Sequence, residues 1–341
     1  MISKDQPFTK DLLKISLGLL VSGAAVILLL WLIDIDQVIQ ALKAVNYRKL
    51  IPVVLLLLIS YGARAASWGT ILAGNLPYGK VFLTMNAGYL INTLLPFRMG
   101  EIGRALLLRT KKVDFWQIIP TILLERFFDL IFALTLFFSV LPFLFGVEYS
   151  STFVGLLAAL VLVSFLTLLA LERNQHRVLA WFETDGGRAG RIKNWVGPRM
   201  KDFFAGLEIL SDPGRFLRAL LWMAASWALA LTYQYLLLEA VVGEARLLWV
   251  AFSLGAVALG AAVPSSPGNL GIYEVSLMGA LLVFGIDRSQ ALTYAILSHS
   301  LNLGVTAIFG SLALILEGFS LNSLWAYRAE QGPSPDRKEG R

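Results

Sequence analysis

Within the apolar stretch TILLERFFDLIFALTLFF, Glu125, Arg126 and Asp129 are spaced so that on a helix Asp129 falls angularly between the other two, and all three share one face. A charged side chain at the centre of a membrane helix costs about 2.5–3.5 kcal/mol on insertion scales, so each of these groups needs a partner or a wet cavity. Two carboxylates against one guanidinium leave a deficit of one positive charge. Either a second cation approaches, or one carboxylate holds a proton. The candidate cations are Arg98 and Arg104, which flank Glu101 at i−3 and i+3, and Arg64 in ISYGARAASW. One reading of the set is a structural ion-pair network. The other is an anion site, because guanidinium forks match phosphate geometry and helix N-termini at nearby chain breaks would add backbone donors.

A second group is chemically different. Pro264-Ser265-Ser266-Pro267-Gly268-Asn269 offers hydroxyls, an amide and free backbone groups, followed by Glu274 and by His299 and Asn302 at i, i+3. Such groups bind a sugar or amine headgroup or relay a proton; the competing reading is interhelical hydrogen bonding worth about 1 kcal/mol. Asn86 and Asn92 are open to the same two readings. A third set, Asp34-Ile35-Asp36, has the acidic spacing of a metal site in a membrane transferase that uses lipid-linked sugars. Against it, Ile35, Val38, Ile39, Leu42 and Val45 form an apolar stripe for which Asp36 would be an ordinary N-cap.

The elements that must position these groups are membrane helices. Of 341 residues, 57% are hydrophobic and 15% charged, too few to cover a soluble surface. Runs long enough to span lie at about 13–33, 51–72, 116–145, 152–171, 215–241 and 290–317. Two further apolar stretches, 81–108 and 248–285, are interrupted near their middles by Pro and Gly and read as hairpins that enter the membrane and return. The expectation is therefore an all-α polytopic membrane protein with six full spans plus two broken re-entrant hairpins. Residues 1–317 form a single transmembrane domain and 318–341 a polar cytoplasmic tail. Basic residues of the 172–214 connection and three N-terminal lysines place both termini in the cytoplasm. Met200, Phe203, Phe204, Leu207 and Leu210 recur at helical spacing, as in a helix lying on the inner leaflet.

In this scheme the order helix, helix, broken hairpin, helix occurs twice, at about 13–145 and 152–317, and the second copy starts from the opposite side. The breaks share a pattern, Pro96-x-x-x-Gly100-x-x-Gly103 and Pro264-x-x-x-Gly268-x-x-Gly271, the first members 168 positions apart. An inverted-topology repeat follows, the architecture in which broken helices meet at a midplane substrate site. Zero cysteines and two histidines, His176 and His299, argue against thiolate or multi-histidine metal sites, and no phosphate-binding P-loop string occurs. No cofactor and no metal are expected. The formal charge of +6 is assigned to cytoplasmic loops and lipid headgroups rather than to nucleic acid.

NTLLPFRMGEIGRALLL, LLERFFDL and VPSSPGNLGIYE together resemble the three ordered motifs of the lysylphosphatidylglycerol synthase transmembrane-region family, flippase-like integral membrane proteins, over nearly all of 13–317. The resemblance implies lipid translocation between leaflets of a bacterial or archaeal cytoplasmic membrane and no enzyme activity. Membrane lipids, and enzymes of lipid or glycan biosynthesis, are the implied partners. It carries over Pro96, Arg98, Gly100, Glu101 and Arg104; Glu125, Arg126 and Asp129; and Pro264, Pro267, Gly268, Gly271 and Glu274. Two departures stand out. The chain has no soluble aminoacyl-transferase domain, so aminoacylation is not expected of it. Asn269 occupies a place where a second glycine is commoner, which leaves its role open. The rival readings are a membrane transferase using Asp34 and Asp36, and an accessory subunit that docks a partner enzyme through 172–214.

Overall fold

Long apolar runs leave the backbone only its own hydrogen bonds to satisfy, and in lipid the single-segment solution is the α-helix. The computed structural model describes residues 35–72, 76–95, 98–109, 113–145, 147–183, 190–261 and 267–316, and these are helical with no strand among them. The expected 13–33 span, Asp34, Pro96, Pro264 and the 318–341 tail lie outside the described residues. In chain order the helices are α1 (Ile35–Ala44), α2 (Leu50–Ile71), α3 (Tyr78–Leu94), α4 (Met99–Leu108), α5 (Phe115–Phe145), α6 (Val147–Arg173), α7 (Gln175–Glu183), α8 (Gly190–Gly206), α9 (Pro213–Val242), α10 (Leu247–Gly260), α11 (Ile272–Leu282) and α12 (Arg288–Leu316).

Local chemistry explains several ends. Asp212 accepts from Arg215 N at 3.0 Å with Pro213 as the first helical residue of α9. Gln117 Oε1 accepts from Asp114 N at 3.2 Å, the reciprocal arm of a capping box at the start of α5. Asp36 is not the N-cap expected of it: it lies inside α1, after the helical Ile35.

Among the described residues, four segments are long and apolar enough to cross a membrane: Tyr47–Ile71, Phe115–Leu144, Pro213–Val242 and Arg288–Leu316. They meet four of the six expected spans, and the chain is a multi-pass membrane protein. The 152–171 run lies within α6. The stretch around Phe204 and Leu207 buries against protein rather than leaving its apolar side open: α8 packs on α5, and a Cβ on Gly206 would lie 2.2 Å from Gln117 O.

Packing follows a two-fold pattern. α2 lies along α9; α3 packs on α12 as α10 packs on α5; α4 joins α3 and α5 as α11 joins α10 and α12; and α1 touches α12 as α8 touches α5. At the centre the pattern becomes atomic. Ser60 Oγ donates to Ser226 O at 2.9 Å, and Ser226 Oγ donates to Ser60 O at 3.0 Å. Where α10 crosses α5, a Cβ on Gly255 would lie 2.7 Å from Phe137 N; where α3 crosses α12, a Cβ on Gly310 would lie 2.7 Å from Asn86 O. The same close approach is made in both halves, with the glycine on opposite partners.

Matching helix starts fixes the register of the repeat. α4 begins at Met99 and α11 at Ile272, and α5 begins at Phe115 and α12 at Arg288, 173 positions on in both cases. The shared Pro-Gly-Gly spacing, 168 positions apart, is therefore not the structural register. Gly100 is the second residue of α4, whereas Gly268 sits in the 3-10 turn Pro267–Asn269 ahead of α11.

Candidate functional site

The hairpin α3–α4 turns at a residue with unusual backbone. Arg98, the N-cap of α4, is left-handed at φ 52°, ψ 39°. At the other break Gly268 (φ 71°), Asn269 (φ 55°) and, one residue further on, Gly271 (φ 83°) have positive φ. Asparagine tolerates that region better than most residues, so Asn269 can stand where glycine is commoner because the turn asks for a backbone conformation. The two breaks touch. The Arg98 guanidinium donates to Ala261 O at the end of α10, and Gly268 faces Thr93 at the end of α3. Asn92 Oδ1 accepts from Gly100 N at 2.7 Å, satisfying one of the free N–H groups that begin α4. Gly100 has to be glycine, since a Cβ there would come within 1.8 Å of Gly88 O. The side chain of Asn86 donates back to Phe82 O at 2.8 Å within its own helix.

Beside this junction six charged side chains close into a ring of alternating sign. Arg64 on α2 grips Asp129 through both terminal nitrogens, at 2.5 and 2.7 Å, and reaches Glu125 at 3.4 Å. Arg104 on α4 contacts Glu125 at 2.6 Å and Glu101 at 2.7 Å. Arg126 contacts Glu101 at 2.9 Å and returns to Asp129 at 3.1 Å. Every carboxylate lies between two guanidinium groups, so the cation deficit read from α5 alone is filled by Arg64 and Arg104 from other helices. The ring has a sealed side and an accessible side. Glu125 and Arg104 are 0% and 1% exposed, whereas Arg126 is 30% exposed. Trp68 stacks on the Arg104 guanidinium at 4.6 Å and donates Nε1–H to Thr121, and Trp227 Nε1 donates to Asp129 at 3.3 Å.

The second half builds the same positions with different chemistry. Arg98, Glu101, Thr121, Arg126 and Asp129 correspond to Gly271, Glu274, Tyr294, His299 and Asn302, each 173 positions on. The contacts correspond as well as the numbers. Arg126 pairs with Glu101, and His299 Nδ1 lies 2.6 Å from Glu274 Oε1. Trp227 donates across the repeat to Asp129, and Tyr61 OH donates across it to Asn302 Oδ1 at 3.0 Å. Trp68 bonds Thr121, and Tyr294 OH donates to Gln234 Oε1 at 2.9 Å. Where the first half has Arg104 and Glu125, the second has Leu277 and Ser298, both fully buried. Ser298 is bonded instead to Gln234 and Tyr273, each at 2.8 Å. Tyr273 stacks on the His299 ring with centroids 4.2 Å apart.

The sequence-level candidates thus divide into three groups. Arg64, Glu101, Arg104, Glu125, Arg126 and Asp129 form the ring; Glu274, His299 and Asn302 form its counterpart; Arg98, Gly100, Gly103, Pro267, Gly268, Asn269 and Gly271 shape the two breaks. Trp68, Trp227, Tyr61, Tyr233, Gln234, Tyr273, Tyr294 and Ser298 went unread. The 173-residue register would have found Tyr294 and Ser298, which line up with Thr121 and Glu125, and the 166-residue offset of Ser60 and Ser226 lines up Tyr61 with Trp227 and Trp68 with Gln234.

The sequence profile of the lysylphosphatidylglycerol synthase TM region matches residues 15–310, which includes both breaks and the ring. The chain belongs to that family. Its similarity extends to the UPF0104 membrane protein PH1989 of Pyrococcus horikoshii, 20% identical over 321 residues covering 87% of this chain and 95% of the relative. Within this lysylphosphatidylglycerol synthase TM region fold, the resemblance drawn from three short motifs is borne out over nearly the whole chain. The motif residues are those that make the breaks and the ion pairs.

Proposed function

We propose that the protein moves a lipid with an anionic or glycosylated headgroup between the leaflets of a bacterial or archaeal cytoplasmic membrane. It acts as a transporter rather than an enzyme, with six spans, two re-entrant hairpins and inverted halves. The observation that carries this reading is the contact between the two helix breaks beside a charged ring in the middle of apolar helices. Buried charge and broken helix ends are expensive in lipid, and both belong where a polar group must cross it.

Charge balance supports Arg98 as the cation that meets the headgroup. The ring contains three arginines and three carboxylates and is balanced in charge. Arg98 stands outside it, is solvent-accessible, and gives the junction its excess positive charge. A phosphate oxygen reaching Arg98 also meets the exposed side of Arg126, where guanidinium forks match its geometry. The headgroup passes along the polar junction while its chains stay in the surrounding lipid. Displacing Arg98 from Ala261 O separates the two breaks and opens the path.

The test is leaflet-specific quenching of labelled lipids in vesicles containing the purified protein. The expected result is movement well above protein-free vesicles for at least one of a panel of phospholipids and polyprenyl phosphates. Arg98→Gln should slow that movement at least tenfold with little effect on folding. Movement no faster than in protein-free vesicles across the whole panel removes the proposal.

A further inference from the structure

The first half neutralises its buried carboxylates with permanently charged guanidinium groups. At the equivalent place, the second half has one buried carboxylate and one imidazole. We infer that Glu274 and His299 form a binding site for a single proton, and that occupancy of this site holds the second helix break closed.

Glu274 is held from two sides. Its Oε2 accepts from Gly271 N at 2.7 Å, closing the N-terminus of α11, and its Oε1 meets His299 Nδ1. Glu101, its counterpart, touches two arginines; Glu274 has Leu277 where the second of these would stand. Titratable or charged groups come from every helix packed against α12. They are Tyr273 and Glu274 on α11, Arg215, Arg218, Tyr233, Tyr235 and Glu239 on α9, Tyr61 and Arg64 on α2, Tyr78, Lys80 and Tyr89 on α3, and Asp36 and Lys43 on α1. Arg64 is a charged neighbour of Tyr61 and Tyr233, and it is committed to Asp129 and Glu125. Among the described residues, His299 is the group within ion-pair distance of Glu274.

A buried carboxylate lacking a full positive partner is unstable, and a neutral imidazole offers only a hydrogen bond. Nδ1–H donates to Glu274 in either charge state, so the incoming proton goes to Nε2 and turns the contact into an ion pair. An unperturbed imidazole exchanges its proton between about pH 5 and 8, the range in which a membrane gradient operates. Because Glu274 also caps α11, proton loss weakens the tie between α12 and the start of α11. The break then frees from the inside.

The site's consequence for transport rests on the lipid-transport reading; its ability to bind a proton does not. The direct measurement is NMR of ring-15N histidine in the full chain reconstituted in bilayers. A His176→Gln background removes the other imidazole, which is exposed on α7. The ring signals of His299 should change with pH across the range 5 to 9, and Glu274→Gln should alter that change. Ring shifts that stay constant across that range overturn the proposal, with no variant needed. In the lipid assay, movement by the unaltered chain should change about tenfold between pH 5.5 and 8. His299→Arg, which installs the first half's chemistry, should abolish that dependence. Lipid movement equal at all pH values beside a titrating His299 overturns the coupling while transport stands. A titrating His299 in a protein that moves no lipid overturns transport and upholds the proton site.

Discussion

The two halves share a backbone plan and differ in how they make polar groups tolerable inside apolar helices. In the first half, three carboxylates and three arginines from α2, α4 and α5 satisfy one another in a closed ring. In the second, one carboxylate, one imidazole and a set of hydroxyls and amides occupy equivalent sites. In the ring every carboxylate lies between two guanidinium groups, whereas in its counterpart the one carboxylate meets a single imidazole, the site at which we infer that a proton binds. The first therefore suits permanent attraction of an anion next to Arg98, and the second suits a response to conditions.

The largest test of this contrast removes one member of the ring. Arg104→Met leaves Glu101 and Glu125 each short of a partner and should destabilise by about 3–5 kcal/mol, read as loss of resistance to SDS unfolding in bicelles. Leu277→Met, at the equivalent place, is a near volume-conserving apolar exchange and should cost less than about 1.5 kcal/mol. Adding Glu125→Gln to Arg104→Met should recover part of the loss, since the deeper buried charge disappears with its partner. Equal costs for Arg104→Met and Leu277→Met would end the claim that the halves are stabilised differently.

A smaller effect is expected where the halves should behave alike. Gly255→Ala brings a methyl against the backbone of Phe137, and Gly310→Ala brings one against the backbone of Asn86, each at 2.7 Å. Neither backbone can swing away as a side chain would, so each change should cost about 1–3 kcal/mol of overpacking, with similar values for the two. A cost confined to one of them would show that the two helix crossings are not equivalent.

How much of this was readable beforehand depended on the range of the interaction. Glu125, Arg126 and Asp129 share a face by helical periodicity alone, and the breaks announced themselves through glycine and proline. Arg64 and Arg104 were visible as misplaced charges, but their assignment to Asp129 and Glu125 needed the relative rotation of three helices, which no local pattern carries. The repeat was legible as an order of elements and misleading as a motif. The shared Pro-Gly-Gly spacing matched one break's helix start to the other's approach loop, because the second break spends extra left-handed residues before α11 begins. His299 and Asn302 looked like ordinary interhelical polar residues until their positions were matched to Arg126 and Asp129.

The finest comparison concerns two hydrogen bonds that the repeat makes equivalent. Trp227 on α9 donates to the charged Asp129 at 3.3 Å, and Tyr61 on α2 donates to the neutral Asn302 at 3.0 Å. Bonds to charged acceptors are worth more than bonds to neutral ones, while interhelical bonds between neutral side chains in membranes average about 0.6 kcal/mol. Single substitutions would blur this, because Trp227→Phe also removes buried ring area. A double-mutant cycle cancels that contribution, pairing Trp227→Phe with Asp129→Asn and Tyr61→Phe with Asn302→Ala. The first coupling should be about 1.5 kcal/mol, the low end for a charged acceptor given its longer distance, and the second about 0.6 kcal/mol. If the longer bond to Asp129 couples no more strongly than the shorter bond to Asn302, then the two arginines on Asp129 already satisfy its oxygens. Trp227 would then serve the ring by packing, as its stacking on Phe132 allows, and the chemical difference between the halves would stop at the ion pairs.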